Sequence, residues 1–271
     1  MAAGDGLRPL DGWPRSARAG IRCVFTDIDD TLTLDGRLPA VAYAAMERLA
    51  RAGIAVVPVT GRPAGWCDHI ARMWPVEGVV GENGAFWFRY DPGARRLVRR
   101  FLESEEVRRR NRRRLEELGR RILAEVPGCA LASDQHYRES DLAIDWCEDV
   151  PPLDEAAVAR ILALFREAGC TAKVSSIHVN GWFGDYDKLA MTRLFAREAL
   201  GFELDAERSR CCFVGDSPND EPMFRFFSPS VGVANLARFA DRMRDLPDFL
   251  TARPGGEGFA ELAEALLAAR G

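Results

Sequence analysis

Two carboxylates directly follow a short apolar segment near the start of the chain. Asp27 and Asp29 lie in the motif DIDDT, after the apolar residues 21–25. A spacing of two at the end of a strand lets both side chains face one crevice as the chain turns, with backbone N–H groups lining an anion site. Asp27 is then placed to attack phosphorus, and Asp29 to protonate a leaving oxygen and deprotonate water. Taken alone, the motif is equally compatible with a turn capped by aspartates.

Two further segments carry groups that bind phosphate. Thr60 and Gly61 combine a hydroxyl, a glycine and the start of a helix, which makes a compact phosphate cradle or an ordinary helix cap. Lys188 can hold phosphate oxygens as a point charge and steady Asp27, although a lone lysine usually faces water. The chain has only two lysines, Lys173 and Lys188, which favours the first interpretation.

The segment GDSPND at 215–220 follows an apolar strand and precedes a helix. Asp216 and Asp220 supply hard oxygen ligands of the kind that Mg²⁺ prefers, directly or through water. Asn219 is suited to cap the helix, and it can do so while its side chain points into the crevice.

Electrostatics links these segments. Asp27, Asp29, Asp216 and Asp220 in one pocket would repel one another, since two like charges about 4 Å apart cost roughly 4 kcal/mol at an effective dielectric near 20. A magnesium ion held by Asp27, the backbone carbonyl of Asp29 and Asp216 would relieve that repulsion, with Lys188 as the second cation. We therefore expect Mg²⁺ as the cofactor.

The elements that must position these residues alternate between short apolar strands and helices. This order predicts an α/β fold with a doubly wound, mainly parallel Rossmann-like core, in which ligands bind at the carboxyl ends of the strands. Residues 85–102 have the pattern of a hairpin with its turn at Pro92. Between 103 and 182 the order becomes helix–strand–strand twice over. We predict a catalytic core from residues 1–102 and 183–271, with an inserted α+β cap domain at 103–182.

DIDDT, VTGR at 59–62, a lysine and GDSPND, in that order, resemble the four motifs of the haloacid dehalogenase superfamily. The insertion resembles that superfamily's type IIB cap, as in Cof-type, sucrose-phosphatase-like and phosphomannomutase-like members, and GENGA at 81–85 is similar to a segment of that branch. Many members have glycine where this chain has Asp30. The second aspartate of the first motif is kept by phosphatases and phosphomutases and lost in dehalogenases.

The resemblance implies a role for each matching residue. The implied roles are nucleophile for Asp27, acid/base for Asp29, phosphate ligands for Thr60 and Lys188, metal site for Asp216 and Asp220, and orienting group for Asn219.

Alternation within the insertion suggests how substrate is recognised. Ser176, His178 and Asn180 share one face of an extended segment, and Asp141 lies on the polar face of another. If this face roofs the crevice, it suits a hydroxyl-rich ligand, and Arg138 is placed to hold a second anionic group. The substrate we expect is a sugar phosphate or a glycosyl-phosphate acid. The alternative is a solvated sheet face.

Bulk properties narrow the remaining possibilities. The 271 residues carry a net charge of −4, which argues against a nucleic-acid partner, and no apolar run is long enough to cross a membrane. The first twenty residues lack the apolar centre of a secretory signal and are interpreted as a loosely ordered tail. Seven cysteines without a C-x-x-C pair fit a reducing, cytoplasmic setting. The arginine run at 108–114 is interpreted as a solvated helix face.

Three functions remain open at this point. The first is a phosphomonoesterase acting on a small-molecule phosphate ester. The second is a sugar phosphomutase, whose first half-reaction is identical. The third is a phosphosugar-binding protein with a vestigial site, which is disfavoured because Asp27, Asp29 and Asp216 are all present. The oligomeric state is left open.

Overall fold

The computed structural model describes residues 7–175 and 177–271. Ser176, one of the predicted substrate residues, lies outside the described residues. None of the described helices is long and apolar enough to cross a bilayer. The strands are β1 Arg8–Pro9, β2 Cys23–Thr26, β3 Ala55–Pro58, β4 Val79–Gly81, β5 Phe86–Asp91, β6 Arg96–Phe101, β7 Ala130–Leu131, β8 Asp141–Asp145, β9 Thr171–Val174, β10 His178–Trp182, β11 Cys211–Gly215, β12 Ser230–Gly232 and β13 Phe249–Leu250. The α-helices are α1 Arg15–Ala19, α2 Ala40–Arg51, α3 Ala64–Met73, α4 Glu105–Glu125, α5 Glu155–Glu167, α6 Lys188–Phe195, α7 Glu221–Phe226 and α8 Gly255–Arg270.

The main sheet has six parallel strands in the order β1–β13–β12–β11–β2–β3. Successive residues of β2 pack on opposite sides: Val24 joins a core cluster with α2, α3 and α8, whereas Phe25 joins another with α6 and α7. A strand that is apolar on both faces forms where helices cover both sides of a sheet. The predicted doubly wound α/β core is confirmed.

A second sheet of three antiparallel strands, β4–β5–β6, lies beside the first. It contains the predicted hairpin, with β5 and β6 joined by a turn at 92–95. Strand β4 begins at Val79, and a single parallel bridge between Val59 and Val80 connects it to the chain just after β3. This sheet therefore continues the main sheet beyond β3. The connection lies at the carboxyl end of β3, on the side of the sheet where the site was predicted.

The third sheet has the order β7–β8–β10–β9, with every pair antiparallel. Leu142, Ile144 and Val179 project from one face and pack with α4 and α5. After α5 the chain forms two strands, β9 and β10, which pair with each other. The four strands of this sheet and the helices α4 and α5 all lie within 103–182. The domain limits themselves stay a prediction.

The expectation of a loosely ordered tail is wrong for the described part of the first twenty residues. Arg8 and Pro9 pair with β13 as an edge strand, and α1 follows them. Trp13 is 2% exposed and stacks on Phe249 with ring centroids 5.4 Å apart. The buried indole of Trp13 anchors a segment that otherwise looks polar. The average composition of twenty residues does not reveal the effect of a single tryptophan.

This packing gives a direct test. Trp13→Ala is expected to lower the free energy of unfolding by about 3–5 kcal/mol, because a large buried ring leaves a cavity. Val41→Ala, at a side chain that is 42% exposed on α2, should change it by less than about 0.5 kcal/mol. Urea unfolding followed by fluorescence and circular dichroism measures both. Equal, small changes would mean that the segment contributes nothing to the core.

Candidate active site

Three carboxylates meet at the carboxyl ends of adjacent strands. Asp27 follows β2 and Asp216 follows β11, while Asp220 lies one turn later, before α7. One oxygen from each lies within 4.8 Å of the others, and all three residues are buried. Asp220 also accepts a hydrogen bond from the backbone N–H of Asp216 at 3.3 Å. Segments far apart in sequence thus converge as their motifs predict.

Lys188 is the cation within this cluster. It is the first residue of α6, whose N-cap is the side chain of Asp187, accepting from the N–H of Ala190. The Nζ of Lys188 donates to Oδ1 of Asp27 at 2.6 Å and to Oδ1 of Asp220 at 2.9 Å. Burial alone would lower the pKa of Lys188, but these two carboxylates raise it above its ordinary value. The ammonium is therefore held charged beside Asp27.

One lysine does not balance three buried carboxylates. Burial, followed by the charges of Asp220 and Asp29 and against the attraction of Lys188, raises the pKa of Asp27 to about 8. Burial and the same kind of repulsion raise the pKa of Asp216 well above its ordinary value. Among the described residues, Oδ2 of Asp216 is buried and has no hydrogen-bond partner. Hard oxygens with excess negative charge and one vacant acceptor fit Mg²⁺.

Asp29 lines the same cavity as Asp27. Its carboxylate is not part of the three-carboxylate cluster but is held by Arg62, whose Nε and Nη2 donate to Oδ1 of Asp29 at 3.0 and 2.8 Å. Arg62 also reaches Asp134 at 3.4 Å and Glu148 at 3.2 Å. The arginine stands in the VTGR motif, where sequence reasoning gave it no role. Its signal was its place directly after the predicted phosphate cradle.

The predicted phosphate-binding residues lie around the same point. Thr60 is fully buried, and its hydroxyl accepts the N–H of Arg62 at 3.0 Å. Gly61 is closely approached by the side chain of Asn83, whose amide atoms would lie 3.3 Å from an added Cβ. The Oδ1 of Asn219 is buried without a hydrogen-bond partner among the described residues. Asn83, with φ 55°, is a further polar group that the sequence did not single out.

The polar face of the third sheet covers this region and is buried, not solvated. Asp141, His178 and Asn180 are each no more than 4% exposed. Asn180 donates to Oδ2 of Asp141 at 3.0 Å. The Nε2 of His178 lies 2.8 Å from Oε2 of Glu148, and this contact with His178, together with Arg62, lowers the pKa of Glu148 to about 2.

Arg138 has its donors occupied by protein groups. Its guanidinium donates to Asp134 and Asp141, each at 3.1 Å, and to the carbonyl of Gly61 at 3.0 Å. The residue is 2% exposed. This arrangement gives Arg138 a part in joining the third sheet to the phosphate cradle, and its predicted contact with an anionic substrate group finds no support in it.

Glu82 makes a second connection of this kind. Its carboxylate accepts the N–H of Ala64 at 2.9 Å, and across the interface the N–H groups of Glu139 and Ser140 at 2.9 and 2.6 Å. Burial, followed by the charge of Asp141 and against Arg138, raises the pKa of Glu82 to about 8. The residue belongs to the GENGA segment, and nothing in its spacing indicated that it would hold another part of the chain.

A cavity of about 30 Å³ remains between the third sheet and the carboxyl ends of the main-sheet strands. Such a volume has room for a water molecule or two but not for a phosphate ester. Its polar lining joins predicted and unpredicted residues, namely Asp27, Asp29, Gly61, Arg62, Asn83, Arg138, Ser175, His178, Asn180, Asp216, Ser217 and Asn219. A phosphate ester would fit between the third sheet and the main sheet only if the two lay further apart than they do here.

The arginine run on α4 is only partly a solvated face. Arg109 pairs with Glu105 at 3.1 Å and both are exposed, as predicted. Arg108 and Arg114 instead stack over Phe101 and Phe183, with the guanidinium carbon 3.7 and 3.5 Å from the ring centroids. Periodicity cannot distinguish an arginine in water from one that covers an aromatic ring.

A sequence profile of the haloacid dehalogenase-like hydrolases matches residues 24–112, which include Asp27, Asp29 and Thr60. A phosphoglycolate phosphatase of Methanoculleus marisnigri is 27% identical over 245 residues, covering 89% of this chain and 94% of the relative. One of Haloarcula marismortui is 28% identical over 240 residues, covering 88% and 94%. The chain is therefore similar to the haloacid dehalogenase-like hydrolases over residues 24–112 and to two phosphatases along most of its length. These similarities support an enzyme with phosphatase activity.

Two solved structures share this fold along almost the whole chain. A Thermoplasma acidophilum protein aligns with a TM-score of 0.69 at 20% identity, covering 91% of this chain and 98% of its own. The subclass IIB sugar phosphatase BT4131 aligns with a TM-score of 0.60 at 13% identity, covering 91% and 98%. An α/β core with an added antiparallel sheet is thus a fold that the chain shares with these solved structures. We refer to the four-stranded sheet with α4 and α5 as the cap.

The buried arginine separates a structural role from substrate binding. Arg138→Met is expected to lower the free energy of unfolding by about 3–5 kcal/mol, because it strands two buried carboxylates. Arg121→Met removes an exposed pairing with Glu125 and Glu167 and should cost far less. Thermal and urea unfolding compare the two variants. Unchanged stability of the Arg138 variant would return the residue to the substrate-binding set.

Proposed function

We propose that the chain is a magnesium-dependent phosphomonoesterase that forms an aspartyl-phosphate on Asp27. The observation that carries this proposal is the convergence of Asp27, Asp216 and Asp220 within 4.8 Å, with Lys188 donating to Asp27. A nucleophilic carboxylate, a vacant set of hard oxygens and a fixed ammonium are the groups that phosphoryl transfer to a carboxylate needs.

The metal would be held by Asp27 and Asp216, with Asp220 close enough to bind directly or through water. When bound, Mg²⁺ supplies positive charge that neutralises the phosphoryl oxygens and the carboxylates together. Asp29 enters this set through its backbone carbonyl, as the sequence suggested, because its side chain is directed to Arg62. The vacant Oδ2 of Asp216 supports this assignment.

In the first half-reaction, an oxygen of Asp27 bonds to phosphorus as the ester P–O bond breaks. Lys188 keeps its ammonium beside Asp27 and favours the ionised carboxylate. The hydroxyl proton of Thr60 and the side chain of Asn219 are placed to bind phosphate oxygens. Asp29 gives a proton to the departing oxygen, so the alcohol leaves neutral.

In the second half-reaction, Asp29 takes a proton from water, and the resulting hydroxide attacks the phosphoryl group and displaces Asp27. Both oxygens of Asp29 accept N–H bonds from Arg62 at 3.0 and 3.1 Å. The oxygen that carries the proton must therefore leave Arg62 before it can face the reacting group. The cap places Asp134 and Glu148 against Arg62. Movement of the cap away from the core would remove these contacts and weaken the grip of Arg62 on Asp29.

The substrate is a small phosphate ester. The buried polar face of Asp141, His178 and Asn180 supports a sugar phosphate or glycosyl-phosphate acid, while the names of the relatives support phosphoglycolate. A sugar phosphomutase shares the first half-reaction, and an assay of free phosphate against isomerised sugar phosphate separates the two. A cytoplasmic location and the absence of a nucleic-acid partner stay predictions.

The nucleophile and the metal can be tested together. Wild type is expected to release phosphate from small esters in Mg²⁺ and to stop in excess chelator, whereas Asp27→Asn should release none. Mg²⁺ should raise the Tm of wild type but not of Asp216→Asn, because binding to the folded state stabilises it. Asp11→Asn, at an exposed residue, serves as the matched control. Activity in Asp27→Asn equal to that of wild type would contradict the assignment.

The role of Asp29 is tested with two leaving groups. For Asp29→Asn, turnover of an alkyl phosphate should fall about 10²–10⁴-fold, since the alkoxide then leaves without a proton. With p-nitrophenyl phosphate, whose leaving group needs no proton, the variant should give a burst of nitrophenol and a phosphorylated Asp27 that mass spectrometry detects. Equal losses for both esters without any phosphoprotein would exclude the acid/base role.

A further inference from the structure

Lys173 lies beside the active site on the cap strand β9. It is paired in register with Asn180 of β10, and directly opposed residues of an antiparallel pair project to the same face. Asn180 lines the active-site cavity. The neighbours of these residues along each strand, Ala172 and Val179, pack on the other face with the cap helices. Lys173 therefore projects from the face that is turned toward the core.

The other cations around the cavity have acidic partners. Lys188 holds Asp27 and Asp220. Arg62 reaches three carboxylates, the nearest being Asp29 at 2.8 Å, and Arg138 reaches two. Among the described residues, no carboxylate lies within 4.0 Å of the Nζ of Lys173. It is the other of the chain's two lysines, and within residues 7–175 and 177–271 it has no acidic partner, unlike Lys188, Arg62 and Arg138.

The surroundings of Lys173 make this absence costly. The residue is half-buried. Burial lowers its pKa, and the positive charge of Lys188 lowers it further, against the weaker pull of Asp187 and Asp220. The ammonium thus lies within the field of the catalytic lysine and aspartate. A partly desolvated cation without a partner is unfavourable in the free protein, and an anion brought by a ligand would compensate for it.

We propose that Lys173 binds a carboxylate of the substrate, so that the enzyme selects phosphorylated carboxylic acids over esters with a neutral alcohol. This inference rests on the proposed phosphatase activity and specifies its substrate class. Phosphate would be held by Lys188 on the core side and the carboxylate by Lys173 on the cap side. The substrate's phosphate on the core side and its carboxylate on the cap side would then hold the cap and the core together around the ester. Arg138, expected from sequence to hold the second anion, is engaged elsewhere.

The test compares two esters that differ in one group, 2-phosphoglycolate and 2-hydroxyethyl phosphate. Lys173→Met should lower kcat/KM for 2-phosphoglycolate by about 10- to 100-fold, as expected for loss of one charged hydrogen bond. The loss should appear mainly in KM, and kcat/KM for 2-hydroxyethyl phosphate should change less than about twofold. Lys173→Arg should recover most of the activity. Arg110→Met, at an exposed arginine of α4, is the matched loss of one cap cation and should behave as wild type.

Two measurements separate recognition from structure and from turnover. The Tm of Lys173→Met should equal or exceed that of wild type, since no ion pair is lost; a lower Tm would indicate a structural role instead. Calorimetry of 2-phosphoglycolate with Asp27→Asn should show binding that disappears when Lys173→Met is added. Equal binding by both variants, or equal loss of kcat/KM for both esters, would overturn the inference. Failure of wild type to hydrolyse any ester would overturn only the activity, because the binding comparison still decides the role of Lys173.

Discussion

Repulsion among three buried carboxylates is the constraint on which this site depends. Asp27, Asp216 and Asp220 share one space, in which the charge of Asp220 disfavours ionisation of Asp27 and Asp216, and Lys188 offsets only part of the negative charge. A protein that keeps such a cluster spends stability to do so. Additional positive charge would relieve this repulsion, and the proposed divalent cation would supply it. The proposed metal site and the proposed nucleophile therefore share one electrostatic origin.

A second set of charges holds the cap on the core. Arg62 belongs to the core and reaches Asp134 and Glu148 of the cap, Arg138 belongs to the cap and reaches the carbonyl of Gly61, and Glu82 accepts cap N–H groups. These contacts surround the small cavity and include Asp29 through Arg62. The guanidinium of Arg62 thus contacts both the cap and Asp29, the proposed acid/base residue, so that in the proposed mechanism the position of the cap affects the availability of Asp29.

Much of this could be predicted from sequence because the informative residues are local. Apolar strands followed by polar residues identify the parallel sheet and the edge where Asp27 and Asp216 lie, and Lys188 is conspicuous in a chain with so few lysines. The partners of Arg62 and Glu82 could not be found in this way. Their contacts depend on how the cap is oriented over the core, and no periodicity within one segment encodes an orientation between segments. Trp13 was missed for a related reason, since its partner Phe249 is distant in the chain.

The cap interrupts the chain between strands that are neighbours in the main sheet. Strand β2 is paired on one side by β3, but its other neighbour is β11, and Thr31 and Asp216, which touch across this seam, are 185 residues apart. During synthesis, β2, which precedes Asp27, cannot pair with β11 until most of the polypeptide has been made. The cap, whose strands and helices are contiguous, has no such delay, and local contacts form faster than distant ones. We therefore expect the cap to fold during synthesis before the pairing of β2 with β11 completes the edge of the main sheet that carries Asp27 and Asp216.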